Sequence, residues 1–341
     1  MKTRKKRLLI LVPLILLVTV MVVTAIVGSI RQADALRNAL EYAWPGQLYT
    51  VGNGKMYAEI NGPADAVPVV FVPGLADGAY SFCTYAPLIG DRYRTIVYDP
   101  MGVGESSDSS GDRSADFEIN DLHSLLEAAD IEGPCIFVGH SRGGAIVRRY
   151  AELFPNDVMG VVLVDATNEA MISDTFARVA YQANKVQYQL LGLTNKVGFP
   201  RLLEDMGVRL LDREIDGRIE AAMGTDYLNA INENCYRDSY VSAVAEQFGS
   251  VNSLLDKAAK GEPLTGIPAY VLYEVSTHDP DSPVDETLEM LGVCIENVSR
   301  QFPEIKSQIV YDAGHYIHFV MPDEITAGID WVAGHTENPA A

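Results

Sequence analysis

The run Cys135-Ile136-Phe137-Val138-Gly139-His140-Ser141-Arg142-Gly143-Gly144 decides how the rest of the chain is read. Four apolar residues in succession suit a strand buried on both faces. Glycines then bracket Ser141 on both sides. Residues 143–154 follow with a helical pattern that stops at Pro155, and helices usually end before a proline. A strand, a glycine-flanked serine and a helix make the setting of a nucleophile elbow. The reason is steric: so sharp a turn strains the serine backbone, and neighbours without a Cβ leave it room. The hydroxyl then stands above the sheet, at the positive end of the following helix. Gly139-x-Ser141-x-Gly143 alone would arise in roughly one chain in ten of this length. The weight therefore rests on the flanking elements.

A serine hydroxyl needs a base to attack a carbonyl. His315, in Asp312-Ala313-Gly314-His315, comes directly out of the last predicted strand and follows a glycine. It is the expected base, and His318 is its rival three residues on. His123 falls within a helical pattern, His140 inside the elbow pointing away from the hydroxyl, and His335 in the C-terminal tail. An acid must orient the imidazole, in the chain order serine, acid, histidine. Asp279, behind the strand at 270–273, is the first choice, and Asp165, behind the strand at 161–164, is the alternative. Asp281 and Glu274 stand further from the role. An oxyanion hole needs two backbone N–H groups. Arg142, directly after the serine, supplies one, and Leu75 in Pro73-Gly74-Leu75-Ala76 is expected to supply the other.

Outward from the elbow, strand candidates recur at 56–60, 69–72, 95–98, 136–138, 161–164, 270–273 and 307–310, several of them near-continuous apolar runs. Helical patterns lie between them at 119–129, 143–154 and 322–332, the last opening on Pro322 with acids behind it. Strands alternating with helices predict an α/β fold, a doubly wound and mostly parallel sheet with helices on both faces. The rhythm breaks between Thr167 and about Thr265, where helical sequence carries no strand. A stretch of that length is too long for a structureless loop. It predicts a helical lobe over one end of the sheet. The expected organisation is a basic segment at 1–7, an apolar anchor at 8–30, a stalk at 31–48, core at 49–166, a helical cap at 167–265, core again at 266–335, and a tail at 336–341.

The chain has 341 residues, 48% of them hydrophobic, which is enough for one large domain with an inserted lobe. Its formal net charge is -20. Five basic residues precede the apolar run Leu8 to Ile30, which carries no charge. As a helix that run reaches about 35 Å, against a hydrocarbon core of about 30 Å. The basic side stays in the cytoplasm by the positive-inside tendency, so the body is expected on the outer face. The competing reading is a cleaved signal peptide, with Ala33-Asp34-Ala35 as a small-x-small site and a secreted body. The strongly acidic remainder argues against nucleic acid and polyanionic substrates. Four cysteines show no CxxC spacing and no paired histidines, so no metal site is expected. Cys135 reads as a buried small hydrophobe, and a Cys235–Cys294 pairing stays open.

On these residues the chain resembles the α/β-hydrolase superfamily with a helical cap, over roughly residues 50–335. The runs that carry the resemblance are Phe71-Val72-Pro73-Gly74-Leu75, Tyr98-Asp99-Pro100-Met101-Gly102-Val103-Gly104-Glu105-Ser106, the elbow, Val162-Leu163-Val164-Asp165-Ala166 and Gly314-His315-Tyr316-Ile317-His318. By resemblance Ser141 is the nucleophile, His315 the base, and Leu75 and Arg142 the oxyanion donors. The turn at Asp99, Gly102, Gly104 and Ser106 shapes the floor beside the site in similar proteins. Three departures stand out. Pro73-Gly74 replaces the usual His-Gly, which leaves the backbone N–H intact. The common Gly-x-x-Asp after the penultimate strand is absent, and Asp279 arrives late. Arg142 replaces an apolar or amide residue, and its guanidinium either pairs with a nearby acid or meets a substrate carboxylate. A serine at the elbow also disfavours the dehalogenase and epoxide-hydrolase chemistry that similar proteins run from an aspartate.

The expected function is a serine hydrolase acting on an ester-like bond of a small, apolar molecule, with no metal or organic cofactor. Two alternatives stay open: acyl transfer or amide and peptide cleavage by the same triad, and a non-catalytic binding or sensor role on a hydrolase scaffold.

Overall fold

The computed structural model describes residues 2–40, 42–108, 114–172, 175–208, 213–278 and 283–337. The chain opens with α1 (Lys2–Leu40), a helix whose segment Val12–Arg37 is long and apolar enough to cross a membrane. The core sheet then builds from β1 (Gln47–Val51), β2 (Gly54–Asn61), β3 (Pro68–Val72) and, after the short helix α2 (Ala86–Ile89), β4 (Arg94–Tyr98). Next come α3 (Ala115–Ala128), β5 (Cys135–His140), α4 (Arg142–Leu153) and β6 (Val158–Val164). Five helices follow, with no strand among the described residues: α5 (Thr175–Asn195), α6 (Phe199–Asp205), α7 (Asp216–Met223), α8 (Thr225–Asn234) and α9 (Asp238–Ala258). The sheet resumes with β7 (Ala269–Val275), α10 (Val284–Gln301) and β8 (Ile305–Tyr311), and the chain closes with α11 (Ile317–Val320) and α12 (Pro322–Glu337).

The eight strands form one sheet in the order β1-β2-β4-β3-β5-β6-β7-β8. Only β2 runs against its neighbours; β4, β3, β5, β6, β7 and β8 are mutually parallel. The expected doubly wound sheet is therefore present. β3 and β5 are buried along their whole length, so both faces of these strands are apolar. Alternation sorts them: Val70, Val72 and Phe137 enter one core with α3, α4 and α10, whereas Val69, Phe71, Ile136 and Val138 enter the other with α12. Strand β1 was not among the sequence expectations. It is an edge strand with mostly exposed side chains, so no apolar run marks it. Helix α10 was also not anticipated.

The five inserted helices form a cap. Tyr227, Leu228, Ile231, Tyr240 and Val244 of the cap pack on Tyr80, Cys83 and Val103 of the core in a third apolar cluster. The parallel strands end beneath this cap, and in open α/β sheets ligands bind at the carboxyl ends of the strands.

Candidate active site

Ser141 stands between β5 and α4 with φ 52° and ψ −124°, outside the regions a side-chain-bearing residue favours. Its N–H is held by the Val164 carbonyl at 3.1 Å, which ties the turn to β6. The flanking glycines are sterically required. A Cβ on Gly139 would lie 2.7 Å from the Gly143 carbonyl oxygen, and one on Gly143 would lie 2.6 Å from that of Pro73.

The loop Pro73–Ala76 runs beside the serine. A Cβ on Gly74 would sit 3.4 Å from the Ser141 Cβ. Ala76 has a left-handed φ of 66° and is held from three sides. Its N–H donates to Gln247 Oε1 at 2.9 Å, and its carbonyl accepts from the Tyr80 and Tyr240 hydroxyls at 3.1 and 3.0 Å. Gln247 and Tyr240 belong to α9, so a cap helix fixes the loop that carries Leu75.

His315 lies after β8, and its Nδ1 is 2.6 Å from Asp165 Oδ2. Asp165 sits at the end of β6 with φ 43°, its N–H on the Leu272 carbonyl and its other oxygen accepting from the Glu274 N–H at 3.3 Å. Asp279 lies outside the described residues. Among the described residues, Asp165 is thus the carboxylate on the imidazole of His315. Burial pulls His315 down, but the Asp165 hydrogen bond and the charges of Asp165, Asp77 and Glu214 outweigh it, and the imidazole ends above its ordinary value.

The other histidines do different work. His318 is buried, places Nε2 on the Ser81 carbonyl at 2.8 Å and stacks on Phe82. Burial and the charge of His315 outweigh that hydrogen bond and bring it down to about 3, which keeps it neutral. His140 is buried inside the elbow and donates from Nε2 to the His315 carbonyl at 3.0 Å. Burial, then the charges of His315 and His318, hold it well below its ordinary value. His140 therefore holds the backbone of His315. His123 stacks on Phe154 away from the elbow.

Arg142 is buried, and its guanidinium makes a two-pronged pair with Glu118 at 3.0 and 2.7 Å. Its side chain joins α3 to α4, leaving its backbone N–H at the elbow. Of the two roles open to this arginine, pairing with an acid is the one observed. Asp99 accepts from the N–H groups of Ala79 and Glu105 at 2.8 and 2.9 Å, and burial pushes its carboxyl up to about 7. All four cysteines are buried and unpaired; Cys235 lies against Arg213 in the cap.

One site residue went unnoticed in the sequence. Asp77 is buried beside the Pro73–Ala76 loop, accepting the Tyr316 hydroxyl hydrogen at 3.1 Å and sharing that of Tyr80, 3.0 Å away, with the Ala76 carbonyl. Burial raises its carboxyl above the usual range, against those two hydrogen bonds. Its position directly after Pro73-Gly74-Leu75-Ala76 was the only available signal. A narrow cleft lies behind Tyr80, walled by Trp44, Tyr57, Tyr227, Ile231 and Tyr240 together with the carboxylates of Glu59 and Asp99.

Comparison with known proteins places this geometry in context. A family model described as the alpha/beta hydrolase fold matches residues 67–322. The uncharacterized protein YqjL of Bacillus subtilis is 30% identical over 137 residues, 40% of this chain and 54% of that protein. Lipase 1 of Psychrobacter immobilis is 34% identical over 116 residues, 34% of this chain and 36% of that protein. The chain thus spans about half or less of the length of these curated relatives. The solved structure of a thermophilic esterase from Thermogutta terrifontis superimposes with a TM-score of 0.60 at 19% identity, covering 85% of this chain and 98% of that one. At that identity the likeness speaks to the fold alone.

Proposed function

The chain belongs to the α/β-hydrolase fold family, and from that premise we propose that it is a serine hydrolase cleaving an ester-like bond of a small, apolar molecule. The observation that carries this reading is Ser141, held in a strained backbone at a strand-to-helix turn whose flanking glycines are sterically required. In the proposed reaction the Ser141 hydroxyl attacks the carbonyl carbon while Nε2 of His315 takes its proton. Asp165, rather than Asp279, holds the Nδ1–H and stabilises the imidazolium. The 2.6 Å contact supports this assignment. The N–H groups of Leu75 and Arg142 receive the developing oxyanion. His315 then returns its proton to the leaving alkoxide, the acyl group stays on Ser141, and water activated by the same histidine releases the acid. The apolar cluster that joins the inserted helices to Leu75, Ala76 and Tyr316 beside the serine supports an apolar substrate.

A fluorophosphonate probe tests the nucleophile directly. Wild-type protein should be labelled and Ser141→Ala should not; equal labelling of both would remove the proposal.

We read α1 as an uncleaved membrane anchor, with its basic N-terminus in the cytoplasm and the catalytic body outside. The length of its segment Val12–Arg37 and a mean hydropathy of 2.5 over the most apolar 18 residues there support this. Protease added to intact cells should digest the body. Full protection would reverse the orientation.

A further inference from the structure

We propose that the outer face of cap helix α5, with the turn behind it, rests on the surface of the same bilayer that α1 spans. The inference depends on reading α1 as a membrane span.

Three independent observations lead here. The first is an exposed apolar stripe. Val179, Ala183, Val186, Leu190, Leu193 and Val197 are all solvent-exposed and follow one another at spacings of four and three residues. That period keeps Val179 to Leu193 on one side of α5, and Val197 lies in the turn behind it. The opposite side of α5 is occupied, with Tyr181 and Tyr188 against Phe248 of α9.

The second is charge. Residues 175–203 contain no aspartate or glutamate, in a chain with 46 of them. The stretch carries Arg178, Lys185, Lys196 and Arg201. Arg178 and Lys185 pair with Asp256 and Glu246 of α9, and Arg201 with Glu233 of α8, whereas Lys196 is exposed in the turn. An acid-free apolar stripe with Lys196 exposed at its end suits an interface with anionic lipid headgroups. The acidic remainder of the body would be repelled there.

The third is depth. The turn after α5 touches α1 through backbone: a Cβ on Gly28 would lie 2.6 Å from the Val197 carbonyl oxygen, and one on Gly198 would overlap the Gly28 carbonyl. Gly28 is two residues short of Ile30, the last apolar residue of the span, which is about 3 Å along a helix axis. Just beyond it, Arg31 pairs with Asp205 of α6 at 2.9 Å and Gln32 donates to the Tyr236 carbonyl. Val197 and Phe199, both exposed, are thereby held at the level where hydrocarbon meets headgroup. The stripe on α5 starts from that level.

A stripe of this period also matches a two-helix seam with a second copy of the chain. Lipid is favoured because the stripe meets the span at one end and lacks the alternating charges that flank such seams.

The test uses full-length protein in vesicles of phosphatidylcholine and phosphatidylglycerol. A bimane label is placed by single substitution at Val20, Leu190, Leu193 or Leu88; the four native cysteines are buried. Phospholipid carrying a shallow nitroxide should quench the labels at 190 and 193 and leave the one at 88 bright. A label at 20 should be quenched by a deep nitroxide. Bright labels at 190 and 193 with quenching at 20 would overturn the inference and leave the anchor standing. No quenching at 20 would overturn the anchor and the inference together. Oxidative cross-linking of Leu190→Cys into a dimer, without nitroxide quenching, would assign the stripe to a second copy and overturn the inference.

Discussion

Oδ2 of Asp165 lies 2.6 Å from Nδ1 of His315, although 150 residues separate the two in sequence. The pair is assembled by the sheet. β6 ends at Val164 and β8 ends at Tyr311, with β7 between them. Each side chain leaves its strand through a left-handed backbone, at Asp165 and at Asp312 and Gly314. Asp165→Asn should therefore lower kcat by about 10⁴-fold, the scale seen when a triad acid loses its charge. Asp279→Asn should leave turnover near wild type. The reverse pattern on an ester panel would restore Asp279 as the acid.

The pH profile carries the sign of the His315 shift. General-base chemistry needs neutral imidazole, and Asp165 raises the pH at which His315 loses its proton. The acid limb of kcat/KM should have its midpoint above the ordinary histidine value, and residual activity of Asp165→Asn should have it lower. Stability runs the other way. A raised folded value favours the native state below the unfolded value, and that contribution is lost as pH rises through the folded one. A midpoint that ignores the substitution would separate Asp165 from the base.

Arg142 and Glu118 make a pair whose side chains are 3% and 17% exposed. Arg142→Met should cost about 3–5 kcal/mol in urea unfolding, because it strands a largely buried carboxylate. Adding Glu118→Leu should recover much of the loss. Turnover per folded molecule should survive in the double variant, since the proposed oxyanion donor is the backbone N–H. Lysine at position 142 should rescue poorly, lacking the planar fork.

His318 predicts an acid-sensitive fold. Its value of about 3 lies below that of an unfolded histidine, so the unfolded state binds the proton first as pH falls. Stability should decline between about pH 6.5 and 3 by up to about 1.4 kcal/mol per pH unit from this group. His318→Gln, able to keep a donor on the Ser81 carbonyl, should flatten that slope in denaturation curves taken across the range.

Much of the architecture was legible because strands β3 to β7 are largely apolar and buried by helices, and such runs stand out in acidic sequence. β1 was not, because an edge strand with exposed side chains leaves no hydrophobic signature. The serine turn was legible for a local reason: glycines on both sides record backbone crowding in the sequence itself. The acid was not. Asp165 and Asp279 each follow a strand, and which one meets His315 depends on where strands end and how one residue bends at φ 43°. Asp77 was hidden more deeply. A lone aspartate after a turn looks like any capping residue, and only folding brings Tyr80 and Tyr316 to its oxygens.

Ala76 has a consequence for how the molecule moves. Its N–H and carbonyl are gripped by Gln247 and Tyr240, both carried on α9. The inserted helices and the turn beside Ser141 are thus mechanically joined, and any shift of α9 stretches the hydrogen bonds that hold Ala76 in its left-handed conformation.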